Sequence, residues 1–387
     1  MGNGITKQQS KIIKGLAILL MIYHHLFVLA NAGIYEDQLS FINISLVTTV
    51  AYFGKICVSL FAFSTGYAVY RSMQSIDESL SISYKNSYKI SDFLKESYNY
   101  SIKHIARLYL YYIGVLLIFV PISVFSGARS FHELSSCNSI FSNILCIKND
   151  YDGSVWYIPF YAFMMLVAPI THLFFMLFKG SKSESSKKRY LSVKSIIKVL
   201  LLCICLAITI LICITLSTKN PLLSIRLVLD FIKPSFLLVY IVGYLSARFG
   251  VFEFLDAKIF AKLESSRTKS LINLFIGLSL SLSMFILRAV LADSPAYATL
   301  DFIIAPIFIF GVLLITSKVR FLANCLAFFG DYSTIMWLTH IHLLGLLRGI
   351  LLTYVNSHIL FYIIIVLLSL IVSMLFTKLI KHISVKY

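Results

Sequence analysis

The chain is short of charge. Only 13% of its 387 residues are Asp, Glu, Lys or Arg, about half of what a soluble globular protein carries. A water-exposed surface over most of the molecule is therefore excluded. A mean hydropathy of +0.86, with 59% hydrophobic residues, places the chain in a bilayer. Acidic residues are scarcer still, 17 against 34 Lys and Arg. None of the seven Glu falls inside an apolar stretch, and only Asp230 and Asp301 approach the interior of one. Ion-coupled transporters rely on carboxylates within the membrane. A matched pair of Gly/Pro-broken helices, the mark of an inverted repeat, is missing too. Both absences weigh against a secondary transporter. The seven cysteines form no CxxC pair and no metal-ligand spacing, so nothing points to a bound metal. Cys203, Cys205 and Cys213 lie in one apolar stretch and read as packing thiols, whereas Cys137 and Cys146 share a loop in which a disulfide is left open. No small-residue cleavage site follows the first apolar stretch, so no cleavable signal peptide is expected. There is no repeat and no separate soluble domain; residues 1–387 read as a single transmembrane domain.

What is present is a series of apolar runs of about 20 residues, the length that crosses a hydrocarbon core. Ten are expected: Ile12–Asn31, Leu46–Tyr70, Leu108–Ser126, Ser154–Phe178, Ile196–Leu216, Leu227–Ala247, Leu271–Leu291, Thr299–Ser317, Tyr332–Tyr354 and Ile359–Ile380. The fold class is thus an all-α integral membrane protein, a bundle of about ten transmembrane helices. With both termini in the cytoplasm, cytoplasmic segments hold 26 of the 34 Lys and Arg and outer loops hold four, Arg129, Lys148, Lys219 and Arg226. This bias follows the positive-inside rule. The net charge of +17 therefore reads as topology and attraction to anionic lipid heads rather than as a nucleic-acid surface. Lys179–Tyr190 reads as a flexible basic linker. Ser72–Tyr100, polar and rich in tyrosine, is long for a loop and is expected along the cytoplasmic interface. Outer loops are short apart from Gly127–Gly153, which weighs against a polysaccharide flippase or polymerase.

One segment is unusual for an apolar helix: "KGLAILLMIYHHLF", Lys14 to Phe27. Eleven residues separate Lys14 from His25. At 100° per residue they lie only about 20° out of line, with about 16 Å between them along the axis. Lys14 is then at the cytoplasmic mouth and His25 near mid-membrane, while His24 points about 100° away. A histidine in hydrocarbon is costly unless paired or in a wet cavity, and imidazole is suited to acid–base work near neutrality. In the ninth span Ser333 and His340 share a face, seven residues apart. Arg288 and Arg348 fall inside spans and are expected to face a cavity or a lipid phosphate.

A basic residue, ten intervening residues and a histidine in the first span resemble the signature of the bacterial membrane acyltransferase family 3. Three further stretches are similar to that family in the same order. "LFAFSTGY", Leu60 to Tyr67, resembles its phenylalanine-rich run ending in Ser-Gly-Tyr, with Thr65 inserted before the glycine. "SVWYIPF", Ser154 to Phe160, resembles its Trp-Tyr-Ile/Leu element, and "FFGDYSTIMWLTH", Phe328 to His340, its late Gly, Tyr-Ser, aromatic, Leu and His. The family's Arg-x-x-Arg pair is altered: in "YSIKHIARLYLYY" the first Arg position holds His104, beside Lys103 and three residues before Arg107. A lysine there lacks the bidentate fork of arginine.

The resemblance implies a multi-pass protein of the bacterial cytoplasmic membrane that uses acetyl-CoA, or another acyl-CoA, from the cytoplasm to O-acylate a cell-surface polysaccharide or lipid-linked sugar. His25 and Lys14 would be the catalytic pair. Lys11, Lys103, His104 and Arg107 would form a basic mouth for the phosphates of coenzyme A. His24, Trp156, Tyr157, Tyr332, Ser333 and His340 would support His25 or line the acceptor side, with Trp337 and His342 nearby. No metal and no nucleic acid enter this scheme.

Overall fold

The computed structural model describes residues 4–29, 40–41, 44–84, 88–127, 137–149, 151–177, 233–255, 267–291, 297–355 and 357–384. The expected span Ile196–Leu216, the linker Lys179–Tyr190 and the first residues of Leu227–Ala247 lie outside these. The first helix, α1 (Lys7–His24), begins at a reciprocal cap. The Thr6 N–H donates to Gln9 Oε1 (2.8 Å) and the Gln9 N–H donates to Thr6 Oγ1 (3.2 Å). Two of the helix's orphan donors are satisfied this way. At its far end the α-helix gives way to a π-helical turn, His25–Leu29. A two-residue antiparallel pair, β1 (Ser40–Phe41) with β2 (Ile44–Ser45), leads into α2 (Leu46–Gly54) and α3 (Ile56–Ser83).

The structure corrects the expectation for Ser72–Tyr100. α3 continues to Ser83 and α4 (Ile90–Phe125) starts seven residues later, so the polar stretch is mostly helix extending two spans. No Gly or Pro occurs between Gly66 and Gly114, and serine, tyrosine and lysine tolerate a helix. After the short α5 (Cys137–Ile144) come α6 (Tyr157–Leu177), α7 (Pro234–Arg248), α8 (Val251–Leu255), α9 (Arg267–Val290) and α10 (Asp301–Lys318). α11 (Arg320–Tyr354) and α12 (His358–Ser384) complete the chain. α11 starts twelve residues before the expected Tyr332, because no proline follows Pro306 and Gly330 is accommodated within the helix. Among the described residues eight helices are long and apolar enough to cross a membrane, and α7 is a shorter apolar one. The all-α membrane fold is thereby established. Cys146 is a buried free thiol.

Residues cluster into two compact units. One comprises Met1–Ser10, Ser59–Ile105 and Phe160–Arg320; the other comprises Lys11–Val58, Ala106–Pro159 and Phe321–Tyr387. Within the first, Arg288 does not face a cavity or lipid as its position in a span suggested. It is 1% exposed, and its Nε and Nη2 donate to the two oxygens of Asp301 (2.8 and 3.1 Å) while Nη1 donates to the Tyr297 hydroxyl (2.7 Å). Ser59 on α3 donates to Asp301 as well (2.6 Å). A buried charge is tolerable when paired and hydrogen-bonded in this way, and the network ties α3, α9 and α10 together. Within the second unit, α1 and α11 meet backbone to backbone. A Cβ on Gly15 would lie 1.8 Å from the Leu326 carbonyl oxygen, and one on Gly330 would lie 2.0 Å from that of Lys11. Small residues permit this approach between membrane helices.

Candidate active site

The close approach of α1 and α11 places the chemistry of the second unit. His25, the first residue of the π turn, reaches across to α11, where its Nδ1 lies 2.7 Å from His340 Nε2. The two rings are stacked, with centroids 4.9 Å apart and planes 13° apart. π-helical turns inside α-helices are frequent at functional sites because they re-aim a side chain. His340 is buried, 1% exposed, whereas His25 is only partly covered.

Protons in this pair can be assigned from acceptors that cannot donate. His340 Nδ1 faces the carbonyl oxygens of Trp337 (2.7 Å) and Met336 (3.1 Å). Nδ1 must therefore carry the proton. A second proton would charge a fully buried imidazole in a membrane helix, which is costly, so Nε2 of His340 is an acceptor. His25 then donates from Nδ1, and its Nε2 is left with a basic lone pair. The result is a relay of fixed tautomers, from the Trp337 carbonyl through His340 to His25. His24 points elsewhere, as its helical position requires. It is buried and its Nδ1–H donates to the Ala51 carbonyl of α2 (2.8 Å), a packing contact.

The other sequence-derived candidates are placed unevenly. Lys14 lies on α1 about 16 Å along the axis from His25. One turn earlier Lys11 forms an ion pair with Asp331 of α11 (2.8 Å). Tyr332 packs its ring against Phe328 near that same end (centroids 5.4 Å), about 12 Å along α11 from His340. Buried Ser333 donates to the Gly330 carbonyl (2.9 Å) and makes a local helix contact. Trp156 and Tyr157 join the His340 end: Tyr157 meets Trp156 edge-on (5.9 Å) and Trp337 edge-on (5.6 Å). Lys103 and Arg107 are exposed, one turn apart on α4, and His104 donates from Nδ1 to the Tyr100 carbonyl (2.9 Å). Lys103 and His104 belong to the first unit and Arg107 to the second. Among the described residues no group of three His, Cys, Asp or Glu is arranged to hold a metal ion.

Three features escaped the sequence reading. The π turn carries no signal that helical periodicity would detect. Asp331 was visible within "FFGDYS", but its partner lies over 300 residues away. Asp152 is buried, accepts from the Ser154 N–H and hydroxyl (2.8 and 2.7 Å), and lies 3.9 Å from His342, whose ring stacks on Phe119. A carboxylate in a loop gives no hint of burial.

Comparison with known proteins adds one positive finding. A family model described as an acyltransferase domain, that of acyltransferase family 3, matches residues 9–378. No curated protein and no solved structure matches the chain.

Proposed function

Because the chain belongs to acyltransferase family 3 over nearly its whole length and is a membrane acyltransferase, we propose that it is an O-acetyltransferase. In this reading it moves an acetyl group from acetyl-CoA, supplied on the cytoplasmic side, to a hydroxyl of a cell-surface polysaccharide or lipid-linked sugar. The observation that carries the reading is the His25–His340 pair at 2.7 Å, on the helix whose other end bears Lys11 and Lys14.

The chemistry follows from the tautomers. The acceptor hydroxyl gives its proton to Nε2 of His25 as its oxygen attacks the thioester carbonyl. His340 accepts the Nδ1–H of the imidazolium that forms, which holds the ring in place and spreads the charge. The tetrahedral intermediate collapses, the C–S bond breaks, and the proton on Nε2 passes to the departing thiolate. The products are an ester and coenzyme A thiol, with no net proton change. A basic residue at the entrance suits the several phosphate charges of coenzyme A. Lys11 and Lys14 supply it on α1. Trp337, one turn before His340, with Tyr157 against it and Trp156 against Tyr157, offers aromatic surface that suits the apolar faces of a sugar ring.

The test compares cell-surface glycans by mass from cells with and without the gene, and from cells carrying His25→Ala. The account expects one acetyl mass per modified residue to disappear in both the deletion and the variant, while the variant protein is present in the membrane. Normal acetylation by His25→Ala would remove the imidazole from the reaction.

A further inference from the structure

Resting on the coenzyme A reading above, we infer that Asp331 is a built-in competitor for the donor's phosphates: it occupies Lys11 until an anion of higher charge displaces it, and so sets the affinity for the donor. Lys11 Nζ sits 2.8 Å from Asp331 Oδ1. Both side chains of the ion pair remain open to solvent, at 43% and 48% exposure. A solvent-exposed pair of this kind is weak and exchangeable, whereas a phosphate with several acceptor oxygens makes stronger charge-assisted contacts.

The pair is not what holds the two helices together. Gly15 and Gly330 bring α1 and α11 into backbone contact one turn along and one residue away, respectively. Lys11 and Asp331 are delivered to each other by that contact. Removing the carboxylate therefore frees the lysine without releasing the helices. In a chain with twice as many basic as acidic residues, a carboxylate on the lysine nearest the expected donor entrance lowers the local positive field, and with it the pull on unselected anions. Donors rich in phosphate overcome it; singly charged anions do not.

The experiment titrates coenzyme A into the full-length protein in phosphatidylcholine nanodiscs at low salt, by calorimetry. Asp331→Asn should bind about two- to fivefold more tightly than wild type, the range set by an exposed ion pair. Asp331→Glu should resemble wild type. Lys11→Ala and the double variant K11A/D331N should bind alike, because the carboxylate acts through the lysine. A purely structural role would weaken binding in Asp331→Asn. Equal or weaker binding by that variant, with wild type still binding coenzyme A, overturns the inference and leaves the donor reading intact. Failure of wild type to bind coenzyme A overturns the donor reading and the inference with it. If Lys11 serves anionic lipid headgroups instead, Asp331→Asn retains more anionic lipid through purification and leaves coenzyme A affinity unchanged, which also overturns it.

Discussion

At the residue scale the account depends on where two protons sit. The Trp337 carbonyl can only accept, so His340 holds its proton on Nδ1, and His25 must donate from Nδ1 to fill the 2.7 Å contact. The prediction is specific. His340→Ala leaves His25 free to take either tautomer and should lower kcat about 10- to 100-fold, part of what a positioned base contributes, with little change in KM for the donor. His340→Gln, whose side-chain oxygen can accept from His25, should recover part of the rate. Steady-state kinetics on purified protein check both, and equal losses in Ala and Gln variants would reduce His340 to packing. Cys146 offers a second residue-scale test, outside the spans. Burial, above all, pushes its thiol up to about 11, with Asp152 adding to the rise against the pull of Tyr112. Only the thiolate alkylates. In a variant retaining Cys146 as the sole cysteine, the alkylation rate should keep climbing about tenfold per pH unit well past the pH of about 8.5 where an ordinary thiol levels off. A plateau near pH 9 would contradict it.

At the element scale the informative features are the places where helices touch without side chains between them. Gly15 against Leu326 and Gly330 against Lys11 put α1 and α11 in register, and that register carries His25 to His340. Gly330→Ala adds a methyl where no space exists. It should cost about 1–3 kcal/mol, seen as a lower melting temperature, and should reduce turnover together with stability. The Arg288–Asp301 network acts in the same way in the first unit. Arg288→Ala leaves a buried carboxylate without its counter-charge and should destabilise by about 3–5 kcal/mol. Replacing both partners with apolar residues of similar volume should cost much less, and thermal unfolding in detergent separates the two cases. Legibility in the sequence divides along these lines. Eight of the ten expected spans were legible, among the described residues, because a run of about 20 apolar residues has few alternatives, and the alignment of Lys14 with His25 was legible because it lies within one helix. His340 was legible through its motif as a residue that would support His25 or line the acceptor side, but which of the two was not, since 315 residues separate it from His25. The helical extension of Ser72–Tyr100 was misread because polar composition signals exposure, not loss of helix. The pairing of Arg288 was misread because its partner Asp301 lies thirteen residues on, on the next helix, where no periodicity within α9 points to it.

At the scale of the whole molecule, the balance of charge and the order of the motifs agree with the family match over residues 9–378. The bilayer supplies the low-dielectric surroundings in which a fixed pair of imidazoles is worth more than in water. Lysines at one end of α1 and an imidazole at its other end suit a donor that is anionic at its nucleotide and uncharged along its arm. The most direct measurement is the release of coenzyme A thiol from acetyl-CoA by purified protein in nanodiscs supplied with acceptor glycan, for wild type and His25→Ala side by side, with coenzyme A affinity measured on the same samples. The account predicts that His25→Ala binds coenzyme A as wild type does and releases thiol at least about 100-fold more slowly; release within about twofold of wild type, from protein that is folded and binds donor, would contradict it.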